Sequence, residues 1–444
     1  MPVMLIGGLC MLAFLVLMFL GFNIPFSMLI GGVIGLVIIK GPGPAGNMIA
    51  SEFINTFSNY SLAVGPMFGL MGYLASYTGV GEKLFTCLKT FCGHRKGGLA
   101  SAVQVASTAF GAICGSPIAC IATMTSIAYP EMRKQGYVPE LAAMSISVGG
   151  SMATLIPPSS TLIIYGIITE TSISQLFLSG IVPGIICCII NIVTIKLILK
   201  KKPEWATTSP KASRHERWEA VKHGGIIEVA VVFIVAMGGM FAGFFTPTEA
   251  GAVGVFGMVI VTIVDRTFSW KKFLNALWSG VRLQAVVYFL LGCANVMSKM
   301  LAVSKIPHAV GNWVENLGIS GLSVILIILL IYFILGMFTD LNAMELITVP
   351  MFLPIVVDYC GYSPIWFGVV IDIIMGIGAL TPPVGTCVFF QKGFIQQWDP
   401  DVTVGQLFRA AVPYILNRFV LLAIFIAIPA TITLLPHLVY GSPL

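Results

Sequence analysis

The sequence predicts an all-α polytopic membrane protein made of two inverted repeats. Three observations predict it: long continuous apolar runs, an internal repeat, and basic loops that change sides between the two copies. Of 444 residues, 57% are hydrophobic and 9% charged, against about a quarter charged in an ordinary soluble domain. Runs at 4–20, 226–245 and 322–337 approach or reach the roughly 20 apolar residues that cross a bilayer. They are continuous rather than alternating, which argues against a transmembrane barrel.

The net charge of +6 resides in a few short loops, as membrane topology requires, and gives no reason to expect nucleic acid as a partner. The ten cysteines lie mostly in apolar runs and form no C-x-x-C pair. They read as small buried hydrophobes rather than disulfides or a metal site. The five histidines make no H-E-x-x-H pattern. Residues 1–20 lack a basic leading region and read as a first span, not a cleaved signal.

The repeat is legible in paired motifs. GFNIPFSMLIGGVIGLV from Gly21 and GFFTPTEAGAVGVFGMV from Gly243 match at seven of seventeen positions. Leu155-x-Pro157-Pro158-x-x-Thr161 returns as Leu380-x-Pro382-Pro383-x-x-Thr386, an offset of 225 residues. Gly111 and Gly336 each precede their Pro-Pro pair by 46 residues. The chain therefore divides into a first repeat, 1–200, a basic linker, 201–225, and a second repeat, 226–444. By the positive-inside rule the linker is cytoplasmic, with an interfacial helix around 214–223. His94, Arg95, Lys96, Arg133 and Lys134 have no basic counterparts in the second half, and Arg266, Lys271, Lys272 and Lys392 have none in the first. Equivalent loops then lie on opposite sides, and inverted repeats of this kind mark secondary transporters.

In chain order, spans are expected at 3–20, 24–39 and 60–77, then a short segment at 81–91. A re-entrant hairpin follows at 99–129, flanked at both ends by basic loops. A broken span at 139–168 and a return span at 173–199 complete the first half. The second half repeats the plan: spans at 226–244, 248–264 and 273–297, a hairpin at 322–356, a broken span at 364–390, and a last span at 414–435. The total is about ten transmembrane helices, two re-entrant hairpins and two broken helices, with the N-terminus outside.

The broken spans are the expected binding site. Unwound backbone inside a bilayer needs protein or a water-filled cavity to receive it. Proline removes a donor and frees the carbonyl one turn back. Freed carbonyls and hydroxyls are hard oxygen ligands suited to Na+, and half-helix ends add a fixed field. The first hairpin turns at Gly115-Ser116-Pro117 and the second at Thr339-Asp340-Leu341-Asn342. Asp340 is the leading acid, because an ionised group at membrane depth is costly without a partner. Asp372 and Glu249 rank below it, and Glu249 reads as a helix cap.

At these residues the chain resembles the large membrane subunit of tripartite ATP-independent periplasmic (TRAP) transporters. GHRKGGLA, GAICGSPIA, SIAYPEM, GGSMATLIPPSSTLIIYG, GFFTPTEAGAV, GMFTDLNAMELITVPMFLPI and IGALTPPVGTCVFF carry the resemblance in that order. It implies Na+-coupled symport of an organic anion, usually a carboxylate, across the bacterial inner membrane, by an elevator motion. It implies a periplasmic substrate-binding protein and a small membrane subunit on a separate chain, since four further spans have no room here. Beyond Na+ as coupling ion, no cofactor is implied. Carried over, Gly115, Ser116, Gly149, Thr154 and Pro157 surround one Na+. Gly336, Thr339, Asp340, Gly378 and Thr381 surround a second, and Ser116, Pro117, Ser159 and Ser160 face the substrate.

The chain departs from the family in three places. Ile374 and Gly376 stand where relatives often carry Asn and Glu, and Pro117 stands where another small residue is common. The alternative reading is a stand-alone inverted-repeat carrier without a binding protein. An enzyme is not expected, because no histidine falls in the hairpins or breaks to serve as a base. No arginine falls there either, so amides, helix ends and hydroxyls are left to read a carboxylate. Segments 41–58, read as a loop, 298–320 and 358–363 are the candidate docking surfaces for the binding protein.

Overall fold

The computed structural model describes residues 2–77, 79–222, 226–306, 309, 318–339 and 341–441, and helix is the only regular secondary structure among them. Two apolar helices, α1 (Val3–Phe19) and α2 (Ile24–Lys40), open the chain. Gly41, at φ 84°, turns it directly into α3 (Pro42–Ser58). The segment expected as a loop is therefore a helix. Its prolines, Pro42 and Pro44, fall in the first turn, where a helix has no use for the missing N–H. A short 3₁₀ turn leads to α4 (Val64–Tyr77), followed by α5 (Val80–Cys92). The first hairpin is α6 (Gly98–Cys114) and α7 (Pro117–Lys134). The first broken span is α8 (Pro139–Gly150) and α9 (Ser160–Thr169), and α10 (Ile173–Lys201) follows. The linker contains α11 (Arg214–Lys222).

In the second half, α12 (Ile226–Phe233) passes through a π-helical turn into α13 (Gly239–Phe241). Next come α14 (Pro247–Val264) and the long α15 (Trp270–Ser304). The second hairpin is α16 (Gly321–Gly336) and α17 (Leu341–Pro354), and the second broken span is α18 (Pro364–Gly378) and α19 (Thr386–Ile395). The expected last span is two helices, α20 (Val404–Ala427) and α21 (Ala430–Tyr440). They part at Ile428, where ψ is 76°, because Pro429 disfavours helical backbone in the residue before it. Residues 307, 308 and 310–317 of the 298–320 candidate surface lie outside the described residues.

Five helices among the described residues are long and apolar enough to cross a membrane: Ile173–Lys201, Pro247–Val264, Trp270–Ser304, Leu341–Tyr359 and Val404–Ala427. One of these, Leu341–Tyr359, is an arm of the second hairpin, so length alone does not separate an arm from a span. The first halves of the two broken spans form the centre of the molecule. Every residue of 141–150 in α8 and of 365–378 in α18 is buried. Helices apolar on all sides occupy such a place. Trp366 in α18 is anchored there by donating its indole N–H to Phe425 O at 3.0 Å. Apolar side chains such as Phe256, 68% exposed, cover the outer helices, as a lipid-facing surface requires.

The linker is more than a connector. Val138 N–H donates to Trp205 O at 3.1 Å and Ser209 N–H to Gly93 O at 2.9 Å. Ser209 Oγ donates to Gln135 Oε1 at 2.5 Å. These bonds tie 205–209 to the loops at both ends of the first hairpin.

Candidate functional site

Both spans that carry Pro-Pro unwind. Past Gly150 a 3₁₀ turn covers Ser151–Thr154, and 155–159 run without helix. Past Gly378 the chain stays unwound until Thr386. The Pro157–Pro158 and Pro382–Pro383 bonds are both cis. Ser159 restarts the first span, its Oγ accepting from Leu162 N–H at 3.1 Å, the ordinary work of an N-cap. The return helix presses on this break: a Cβ at Gly180 would stand 2.1 Å from Leu155 O.

Each hairpin tip closes on the break of its own half. Gly115, at φ 58°, ends α6, and Ser116 caps α7, accepting from Ala119 N–H at 3.5 Å. Ser160 Oγ donates to Gly115 O at 2.8 Å. A Cβ at Gly115 would lie 2.7 Å from Pro158 O. In the second half Gly336 and Gly378 touch backbone to backbone, and Gly385 N–H donates to Met337 O at 3.2 Å. The hydroxyls of Thr339 and Thr381 donate to Leu335 O at 2.9 Å and Ile377 O at 2.8 Å. Asp340, the leading acid of the sequence reading, lies outside the described residues.

The two halves also brace each other. Ser147 Oγ donates to Cys387 O at 3.2 Å. At the equivalent position in the second half, Asp372 Oδ1 accepts from Thr161 Oγ1 at 2.9 Å. Asp372 is 2% exposed, and its Oδ2 has no hydrogen-bond partner.

Between the tips and the breaks lies a cavity of about 400 Å³. Gly115, Ser116, Pro117, Thr154 and Ser160 line it, joined by Asn342, Thr386 and Cys387 from the second half and by Gln284 and Tyr288 of α15. Four helices begin at its wall, since Pro117, Ser160, Leu341 and Thr386 are first residues of α7, α9, α17 and α19 and all line it. A helix N-terminus presents free N–H groups and partial positive charge to an anion. The cavity carries no charged side chain among its described lining residues.

Other expected site residues lie elsewhere. Ser159 is buried, its hydroxyl engaged with Thr161 Oγ1 at 2.9 Å as well as with Leu162. Pro157 is buried within the break. Gly149 faces the first hairpin, where its Cβ would meet Ser107 Oγ at 3.0 Å. Gly336 and Gly378 serve the tip contact, and neither they nor Thr339 and Thr381 line this cavity. Glu249 caps α14 in a capping box, accepting from Thr246 N–H at 2.8 Å.

The family model for the tripartite ATP-independent periplasmic transporter, DctM component, matches residues 11–431. This chain belongs to that family. It is similar to the sialic acid TRAP transporter large permease protein SiaM of Vibrio cholerae, with 30% identity over 96% of this chain and 97% of that protein. It is also similar to the C4-dicarboxylate TRAP transporter large permease protein DctM of Pseudomonas aeruginosa, with 32% identity over 88% and 89%. Among solved structures, the Alcanivorax borkumensis YdaH transporter aligns with a TM-score of 0.60 at 13% identity over 88% of this chain and 90% of that one. That likeness is one of fold.

The TRAP permease is thus a multi-pass inner-membrane transporter subunit and not an enzyme. Sequence reasoning missed several of its site residues. Gln284 and Tyr288 are polar groups in an apolar span, a signal that could have marked them. Arg282, two residues before Gln284 in the same helix, is exposed instead. Asn342 follows the acid on which the second tip was centred. Outside the cavity, Arg418 reaches the helix ends beside both breaks, although no arginine precedes or follows them closely in the chain.

Proposed function

We propose that this TRAP permease imports an organic anion, a carboxylate, by Na+-coupled symport. A periplasmic binding protein delivers the substrate, and a small membrane subunit completes the complex. The observation that carries the substrate class is the convergence of four helix N-termini on one cavity that has no basic side chain among its described lining residues. Their N–H groups and the hydroxyls of Ser116, Ser160 and Thr386 supply donors for a carboxylate. Relatives named for sialic acid and C4-dicarboxylates support the same class.

The first Na+ is held at the tip and break formed by Gly115, Ser116, Gly149, Thr154 and Pro157. The second is held around Gly336, Thr339, Gly378 and Thr381, with Asp340. Carbonyls freed by unwinding supply most of the ligands in both. The hairpins and breaks move together as a body against α4 and α15, which wall the other side of the cavity. Membership of a tripartite family favours a binding protein over a stand-alone carrier.

The test is uptake by the purified complex in liposomes, with its binding protein and a panel of carboxylates, under an inward Na+ gradient. Uptake of one or more carboxylates that collapses when K+ replaces Na+ is expected. Equal uptake in K+ would reject the coupling, and uptake without any binding protein would reject the delivery step.

A further inference from the structure

Arg418 has no part in the proposed substrate or ion sites. Helix α20 carries it into the interior, where it is 1% exposed. Its Nη2 donates to Val148 O at 2.8 Å and to Ser151 Oγ at 2.9 Å, and its Nη1 donates to Gly376 O at 3.5 Å. Val148 and Ser151 lie at the end of α8, and Gly376 lies two residues before the end of α18. Ser151 and Gly376 are equivalent under the 225-residue offset of the repeat. One guanidinium therefore grips both half-helices at matching positions. Its own equivalent is Val193, which is 40% exposed on the outer face of α10, so the device occurs once and serves both halves.

The chemistry of the contact is specific. The last carbonyls of a helix form its negative end, and a buried cation is tolerated only where such groups receive it. Two negative ends meet at Arg418. Its planar, forked donors fix the separation and angle of the groups they bind, which a point charge does not. Thr154 follows Ser151 by three residues and Gly378 follows Gly376 by two, and both belong to the proposed Na+ sites. Any cation that orders one break draws on the same short segment that Arg418 holds.

We infer that Arg418 is a positioning residue, a built-in cation that clamps the two half-helix ends and couples Na+ binding at one break to Na+ binding at the other. The inference rests on the Na+-coupled reading given above. Binding at either break then stiffens the end that the guanidinium shares with the other, and linkage makes the benefit mutual.

The experiment measures the Na+ dependence of uptake by the whole complex in liposomes, for the wild type, Arg418→Lys and Ser151→Ala. Lysine keeps the charge and loses the fork. The wild type is expected to respond with a Hill coefficient above one. In Arg418→Lys the coefficient should fall towards one and the half-saturating Na+ should rise at least about fivefold, the lower end of ordinary coupling between sites. Half-saturation for loaded binding protein at saturating Na+ should stay within about twofold, because the clamp does not touch the substrate cavity. Ser151→Ala retains the arginine and should shift both Na+ parameters the same way by less. It decides the matter if Arg418→Lys fails to assemble.

A wild-type Hill coefficient of one, or variants that lose only maximal rate with the Na+ parameters unchanged, would overturn the clamp alone. Wild-type uptake indifferent to Na+ would overturn the coupling reading, and the clamp with it.

Discussion

Adding one methyl group to either side of the second tip contact should have opposite outcomes. A Cβ at Gly378 would stand 2.8 Å from Gly336 C, 2.9 Å from its Cα and 3.1 Å from its O. All three are backbone atoms, so no side chain can swing aside. Nor can α18 retreat, since each residue from 365 to 378 is buried. Overpacking of this kind costs about 1–3 kcal/mol. A Cβ at Gly336 meets nothing nearer than Met375 O at 3.4 Å. That is ordinary contact, and alanine is better than glycine in a helix by up to about 1 kcal/mol. A gap of about 2 kcal/mol between the variants corresponds to roughly 30-fold in the population of the closed tip. Thermal unfolding of the purified complex in lipid nanodiscs measures it. Gly378→Ala should unfold at lower temperature than the wild type, while Gly336→Ala should unfold at the same temperature or higher. Equal behaviour of the two would refute the backbone-contact reasoning.

Two further outcomes follow from the site and its surroundings. Ser116→Ala should raise half-saturation for substrate, whereas Ser159→Ala should lower stability by about 1 kcal/mol, the ordinary worth of an N-cap, with substrate affinity kept. Equal effects of both on half-saturation for substrate would contradict the placing of Ser116, and not Ser159, at the cavity. At the end of the second broken span, burial alone would raise the Asp399 carboxyl. Hydrogen bonds from Arg133, at 2.8 and 3.0 Å, and from Tyr129, at 2.7 Å, outweigh it and hold the group below its ordinary range. Because the folded pKa is the lower one, this contribution is complete above the ordinary carboxylate value and is lost as pH falls through the folded value. Thermal stability should therefore decline on acidification in the wild type and decline less steeply in Asp399→Asn; parallel declines would remove Asp399 from the account.

The interruptions were legible because they are local. Pro157-Pro158 and Pro382-Pro383 lack the N–H that would continue a helix, and Gly115 permits the turn that an L side chain resists. Ser116, Pro117 and Ser160, which the family resemblance places beside the substrate at these interruptions, line the cavity. The same local logic misplaced 41–58, where prolines that look like breakers stand in a first turn. Ser159, placed beside the substrate by the same resemblance, stands one residue before α9 and caps it.

By itself the sequence determined that this protein lies in a membrane, that its chain is repeated, and where its helices fail. Each of these depends on residue type over a few turns or on self-similarity, and both are written in order along the chain. Tertiary structure alone decided which groups meet. Arg418 stands 267 residues from Ser151 and 270 from Val148 along the chain, and nothing in its local pattern separates it from an interface anchor. Gln284 became part of the site only when α15 came to wall the cavity. The 19 residues Leu341–Tyr359 are apolar and long enough to cross a bilayer, yet they form a hairpin arm. The contact of the tip before it, at Gly336, with Gly378 of the second broken span assigns it there, and hydropathy does not record such a contact.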